Sequence, residues 1–104
     1  MVMKLFLGAM KAPIECVGIT FDELQKISQS KKQFCGLYVA EENKIYVATD
    51  YSEIPTIDIL LHEIGHLLIN ELQLYKSEEH KADILAIRLK HILEQTRKIY
   101  VLTE

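Results

Sequence analysis

Two histidines four residues apart, with a glutamate directly after the first, form the clearest chemical pattern in this 104-residue chain. The pattern is H-E-I-G-H at residues 62–66, within an otherwise apolar run at residues 59–68. On an α-helix His62 and His66 share one face, so both imidazoles can bind one zinc ion at roughly 2.0–2.1 Å. Glu63 lies about 100° around the helix, where its carboxylate reaches a water molecule at the metal. The spacing therefore predicts a zinc site with a general base beside it.

The apolar positions around the motif predict an amphipathic helix. The polar arc holds His62, His66, Asn70 and Gln73. The apolar stripe is complete without either histidine, and a charged Glu63 between them is costly to bury without a role. A metal site is therefore favoured over a core helix with two incidental histidines. The packing face is expected to consist of Leu60, Leu61, Ile64, Leu67, Leu68 and Leu72.

A catalytic zinc site takes three protein ligands and keeps a position for water, so the chain after the motif must supply another ligand. Glu79 and Asp83 are four residues apart on a predicted helix, which a short connection returns alongside the motif helix. We expect Glu79 to bind zinc and Asp83 to orient a histidine, which fixes the tautomer of its imidazole. His80 is the alternative third ligand. It is ranked second because Asp83 would not share its face.

The H-E-x-x-H sequence at residues 62–66, followed by E-x-x-A-D at residues 79–83, resembles the pattern of gluzincin metallopeptidases. Residues 34–90 are most similar to the catalytic cores of the ImmA/IrrE-like and HtpX-like families, and the short chain also resembles the soluble minigluzincins. The resemblance implies an α+β fold: a small zincin-like domain in which an antiparallel or mixed sheet packs with the H-E-x-x-H helix and a C-terminal glutamate helix.

The resemblance also assigns roles to individual residues. It implies that His62, His66 and Glu79 bind zinc, that Glu63 is the general base and that Asp83 supports His62. The minigluzincins additionally imply a latent zymogen that is blocked by a C-terminal segment, and a histidine as the third ligand. The histidine alternative named above therefore stays open.

The elements that must position these residues follow from capping signals and hydrophobic periodicity. Thr20 followed by Glu23 predicts a capping box, and Thr56 and Ser77 are the expected N-caps of the two later helices. The last helix is expected to pack through Ala82, Leu85, Leu89, Ile92 and Leu93. The expected elements are strands at residues 2–7 and 14–19, a short helix after residue 20, an antiparallel hairpin of strands at residues 34–40 and 44–49, the motif helix from residue 56 to about residue 75, and a helix from residue 78 to about residue 97.

Length and composition exclude several classes of protein. The chain has room for one domain, at residues 1–104, and its net charge of −3 gives no basic surface for nucleic acid. Cys16 and Cys35 lack the spacing of a zinc ribbon or a redox motif and are expected to be buried, reduced thiols. Residues 1–7 are not expected to form a signal peptide, and charges interrupt residues 57–74, so no membrane span is predicted. The cytoplasm is the expected compartment.

The predicted activity is zinc-dependent hydrolysis of peptide bonds in a peptide or protein substrate. Zinc would lower the pKa of its water toward about 7, and Glu63 would pass the proton to the leaving amine. Tyr51, Tyr75 and His80 are candidates for stabilising the oxyanion. An exposed strand of the hairpin beside the cleft could pair with an extended substrate backbone, and a purely structural sheet is the alternative. The alternative function is a zinc-stabilised interaction module without catalysis, in which the glutamate would be dispensable.

The C-terminal residues 98–104 are β-prone and apolar, which predicts that they are not an idle tail. One expectation is an added strand or simple docking on the core. The second hypothesis is self-inhibition, in which an extended segment with Tyr100 and Leu102 lies in the cleft of its own or a neighbouring chain, with Glu104 near the open zinc position. Self-association through this segment and a gain of activity on deleting residues 99–104 follow from that hypothesis.

Overall fold

The strands form a four-stranded mixed sheet in the parts of the chain that the structure, a computed structural model, describes: residues 2–6 and 13–103. The order across the sheet is β1-β2-β4-β3. β2 and β4 are parallel, whereas β1 with β2 and β3 with β4 are antiparallel. The mixed α+β architecture agrees with the prediction. The strands are β1 (Val2–Leu5), β2 (Ile14–Ile19), β3 (Gly36–Val39) and β4 (Lys44–Ala48).

The hairpin of β3 and β4 is confirmed, and its two strands have different environments. A 3₁₀ turn at Ala40–Glu42 joins them, and Asn43 then takes a left-handed conformation (φ 56°), which asparagine tolerates better than most residues. β4 is central in the sheet and is covered on both faces, so all four residues from Ile45 to Ala48 are buried. The alternation of buried apolar and exposed polar residues that marks a strand with one solvent-facing side is therefore absent. β3 is an edge strand.

Two of the three predicted helix caps are confirmed. The side-chain oxygens of Thr20 and Ser77 accept hydrogen bonds from the backbone N–H three residues on, at 3.2 and 3.1 Å. The third was wrong, because Pro55 occupies the cap position of the motif helix and Thr56 is its first residue. No helix in the described ranges is long and apolar enough to cross a membrane. The helices are α1 (Phe21–Ser28), α2 (Thr56–Leu72), α3 (Glu78–Glu94) and α4 (Thr96–Thr103).

The sheet packs against helices on both faces. On one face Leu24 of α1 packs with Tyr46 and Ala48 of β4, which makes a small core. The larger core lies on the other face and fixes the orientation of the motif helix α2. It contains Met3, Leu5, Ile14, Cys16, Ile45 and Val47 of the sheet, Ile59, Leu60, Ile64, Leu67 and Leu68 of α2, Ile92 of α3, and Ile99 and Leu102 of α4.

The packing faces of α2 and α3 differ in part from the prediction. In α2, Leu61 is 46% exposed, and Ile59 takes a place in the core instead. In α3, Ile92 is buried and Leu85 is half-buried as predicted, but the other three members of the predicted arc, Ala82, Leu89 and Leu93, are exposed. Arg88 is the buried polar residue of this helix, because it pairs with a glutamate of α2.

The C-terminal segment is a helix, so the predicted extended conformation was wrong for residues 98–103. Ile99 and Leu102 are one turn apart and each is 3% exposed in the larger core, so tertiary packing overrides the β-propensity of this segment. Docking on the core is therefore confirmed. An inhibitory tail extended in the cleft does not fit this helix; Glu104 lies outside the described residues, and self-association stays a prediction.

A break at Gln95 separates α3 from α4, whereas one helix to about residue 97 was predicted. The Gln95 side chain accepts a hydrogen bond from the backbone N–H of Phe6 at 2.8 Å and donates to the carbonyls of Phe6 and His91. These long-range bonds to the end of β1 hold the turn in place. Nothing in the local sequence indicates them.

Both cysteines are free thiols, as expected, but only Cys16 has the predicted burial. Cys16 is fully buried in the larger core, and burial raises the pKa of its thiol to about 12, so it stays protonated. Cys35 is half-buried just before β3.

Candidate metal centre

The motif helix α2 presents both histidines to solvent and turns the glutamate inward. His62 and His66 are exposed one turn apart, whereas Glu63 is only 6% exposed. This follows from the core contacts of Leu60, Ile64 and Leu67, which fix the rotation of the helix about its axis. The predicted division of α2 into a packing face and a polar face is confirmed at the motif.

The two imidazoles converge with the geometry of a shared metal. Their Nε2 atoms lie 3.1 Å apart, and the ring planes are nearly perpendicular at 84°. Two nitrogens bound tetrahedrally to zinc at about 2.05 Å would be separated by about 3.3 Å. A direct hydrogen bond between the rings would have the same spacing, and it would direct an N–H of one ring at the other. A direct hydrogen bond between the two rings would leave Glu63 without a role.

Glu63 completes a group of three possible ligands. One ligand atom from each of His62, Glu63 and His66 lies within 4.8 Å of the others, and within the described ranges no other set of three such side chains converges in this way. Burial raises the pKa of the Glu63 carboxyl above its usual value, while the imidazoles of His66 and His62 and a hydrogen bond from the backbone N–H of Tyr38 lower it. The carboxylate is thus held against the edge strand β3 and close to the two nitrogens.

Gly36, the first residue of β3, makes the close contact between strand and helix possible. A Cβ atom at Gly36 would lie 2.7 Å from Cγ2 of Ile59 and 2.9 Å from Cγ of Glu63. Contacts this short do not occur between real carbon atoms, so any side chain would move the carboxylate or the strand. A glycine in a strand is a known sign of close backbone approach, but the sequence does not name the neighbour.

We expect Gly36→Ala to lower stability by about 1–3 kcal/mol through overpacking and to displace Glu63. Gly65→Ala is the matched control, since a Cβ there meets nothing within 4 Å and alanine is favoured by about 1 kcal/mol inside a helix. Urea unfolding of the two variants measures the difference. A Gly36→Ala protein as stable as Gly65→Ala would contradict the close packing of β3 on α2.

A cleft of about 890 Å³ lies between β3 and the polar face of α2. Its walls include the predicted polar arc of α2, which is therefore confirmed as one face. Asp58, one turn before His62, also lines the cleft, although no role in the site was predicted for it. The lining residues are Gln33, Phe34, Cys35, Gly36, Leu37, Tyr38, Ala40, Ile54, Asp58, Ile59, His62, Glu63, His66, Ile69, Asn70 and Gln73.

The structure does not bring the predicted third ligand to the histidines. Glu79, His80 and Asp83 are exposed in the first turns of α3, and none of them belongs to the convergent group or to the lining of the cleft. The ring of His80 instead lies 4.9 Å from the ring of Tyr75. The assignments of Glu79, with His80 as the alternative, and of Asp83 as a supporting residue stay predictions.

The candidates for oxyanion stabilisation also lie away from the cleft walls. The hydroxyl of Tyr51 donates to Glu53 at 3.1 Å, and its ring stacks on Phe21. Tyr75 packs against His80, and none of these side chains lines the cleft. A role for any of them is therefore still only a prediction from the sequence.

Comparison with known proteins found no match to this chain among family models, curated proteins or solved structures. The interpretation of the site therefore depends on its two sequence motifs and on the geometry of α2 and β3. In that geometry the Nε2 atoms of the two imidazoles converge, and a buried carboxylate lies beside them.

Proposed function

We propose that this protein is a zinc-dependent endopeptidase in which His62 and His66 hold the metal and Glu63 is the general base. The observation that supports this most is the 3.1 Å separation of the two Nε2 atoms, with the Glu63 carboxylate in the same group of possible ligands. The donor set fits zinc, because imidazole nitrogens are common zinc ligands and their spacing matches two corners of a tetrahedron.

Glu63 would move the proton during hydrolysis. A bound zinc ion would supply Lewis acidity and lower the pKa of a water molecule toward about 7. Glu63 would take the proton from that water and deliver it to the leaving amine. Burial raises its pKa, which makes the carboxylate a stronger base, and the N–H of Tyr38 holds it in place.

The substrate would be an extended segment of a peptide or protein. β3 is an edge strand and Gly36, Leu37 and Tyr38 line the cleft, so a substrate backbone can lie beside it as an additional strand. Phe34 and Ile69 also line the cleft and offer apolar surface to substrate side chains. The free thiols suit a reducing compartment, and the cytoplasm remains our proposal for the location.

A non-catalytic zinc module is the second candidate, and one observation favours it. Glu63 itself belongs to the convergent group, while Glu79 lies outside it, so all three motif side chains could be zinc ligands, with the fourth position filled by a further protein group. In that case Glu63 would be a ligand, and its replacement would reduce zinc binding. In the peptidase its replacement would reduce hydrolysis instead.

Metal removal tests the proposed activity. We expect the zinc-loaded protein to cleave members of a library of unstructured peptides, because the metal and the base are both needed to activate water. Dialysis against a chelator should abolish cleavage, and zinc but not magnesium should restore it; mass spectrometry of the products measures both. Equal cleavage before and after chelation, or no cleavage with zinc bound, would contradict the proposal.

A further inference from the structure

The outer edge of β1 lies on the opposite side of the sheet from the candidate metal centre. In the order β1-β2-β4-β3, β1 and β3 are the two outer strands of the sheet that the described residues form. β1 contacts α4, and a groove of about 630 Å³ lies beside the two elements. The groove is lined by apolar and basic side chains, among them Val2, Lys4, Phe6, Arg97, Lys98 and Val101.

The backbone of β1 directs hydrogen-bonding groups away from the sheet at this edge. The N–H of Glu15 in β2 donates to a carbonyl just before β4, so Glu15 makes no ladder bond to Lys4, its antiparallel neighbour. The N–H and C=O of Lys4, and those of Val2, therefore point outward. Gln95 already binds the outward groups of Phe6. Within the described ranges no group binds those of Val2 and Lys4.

Three apolar side chains beside this edge are exposed to solvent. Val2 is 58% exposed, Phe6 51% and Val101 52%. The ammonium group of Lys98 lies 5.6 Å from the centre of the Phe6 ring, so the basic and apolar side chains form one surface. Single exposed apolar residues are normal, but a group of them beside an open strand edge is typical of an interaction surface.

The positive charge of this surface restricts what can bind there. Lys4, Arg97 and Lys98 are exposed, and none of them forms a salt bridge with another described residue. Glu15, across from Lys4, instead pairs with Lys44 at 3.9 Å. No carboxylate is among the described residues that line the groove. An acidic binding partner is therefore favoured by charge complementarity.

Two other occupants fit this surface less well. A second copy of the chain would bring the same positive charges to the edge, and a lysine in an edge strand is a known means of preventing such self-pairing. An anionic membrane would match the charge, but its hydrocarbon region offers no partner for the outward N–H and C=O groups. An extended acidic peptide segment matches both the charge and the backbone groups.

We propose that the outer edge of β1 binds an extended segment of a partner protein that carries apolar and acidic side chains and adds to the sheet as a further strand. The outward groups of Val2 and Lys4 pair with its backbone, and Val101 contacts its apolar side chains. Arg97 and Lys98 select its carboxylates. The inference does not rest on the proposed function, because β3 and the metal centre lie at the other edge of the sheet.

The test uses two short fluorescent peptides, one of alternating valine and glutamate and one of alternating valine and lysine. Fluorescence anisotropy measures their binding to the full chain. We expect the acidic peptide to bind about tenfold more tightly than the basic one, and its affinity to fall as salt is added. The double variant Arg97→Glu, Lys98→Glu should lose this preference. Lys31→Glu, Lys32→Glu alters the net charge equally at an exposed loop and is the matched control.

Hydrogen exchange of the backbone amides, followed by NMR, locates the bound peptide. Exchange at Lys4 should slow when the acidic peptide binds, because its N–H then donates to the added strand, whereas the amides of β3 should not change. Equal affinity for the two peptides, no binding at millimolar concentration, or loss of binding in the control variant would overturn the inference. So would protection at β3 rather than β1, or binding to phosphatidylserine vesicles with no change at Lys4 when the peptide is added.

Discussion

Replacing Glu63 with glutamine is expected to reduce peptide hydrolysis by about 10²–10⁴-fold, the usual contribution of a general base. Glutamine keeps the shape of the side chain and can still accept the hydrogen bond from the N–H of Tyr38, but it cannot take a proton from water. The zinc content should stay close to one ion per chain, because the proposed base contacts water rather than the metal.

The rate of cleavage and the zinc content must be measured on the same sample. Glu23→Gln, an exposed glutamate of α1, is the matched control and should change neither quantity. If Glu63→Gln keeps full activity when loaded with zinc, the assignment of the base is wrong. If it instead loses its zinc, Glu63 is a ligand and the non-catalytic module is the better interpretation.

Deleting residues 99–104 is expected to unfold the protein rather than activate it. The deletion removes Ile99 and Leu102, each 3% exposed in the larger core. Loss of two buried aliphatic side chains costs about 4–10 kcal/mol, which is comparable with the about 5–15 kcal/mol that stabilises a chain of this size. Circular dichroism and thermal unfolding of the truncated protein test this expectation.

Single substitutions in α4 distinguish the loss of buried side chains from the effect of shortening the chain. Ile99→Ala should lower stability by about 2–5 kcal/mol, whereas Val101→Ala, at a half-exposed position of the same helix, should cost much less. A truncated protein that stays folded and cleaves peptides faster would restore the inhibitory role that the sequence predicts for this segment.

Local signals explain what the sequence predicts correctly. The hydroxyls of Thr20 and Ser77 cap helices because a donor three residues away is part of the same segment. The hairpin of β3 and β4 follows from two β-prone runs joined by a short polar link at residues 41–43, and the polar face of α2 follows from helical periodicity. Short stretches of chain encode both signals. The motif residues His62, Glu63 and His66 converge because one helix carries all three.

Non-local contacts explain the failures. α4 is a helix because Ile99 and Leu102 pack on the sheet and on α2, and these partners are distant in sequence. The exposed arc of α3 follows from the pairing of Arg88 with Glu71, which periodicity does not reveal. The contact of Gly36 with Glu63 also joins separate elements, so the sequence offers a glycine in a strand but no partner for it.

The central claim is that His62 and His66 bind one zinc ion, and zinc K-edge X-ray absorption of the loaded protein tests it most directly. We predict two imidazole nitrogens at about 2.0–2.1 Å and a shell completed by oxygen. His66→Ala should lose one imidazole from the spectrum or lose the metal, whereas His91→Ala, at a histidine of α3 that lies beside Glu94, should give the wild-type spectrum. An unchanged spectrum and zinc content in His66→Ala, or a wild-type protein without imidazole ligands to zinc, would contradict the account.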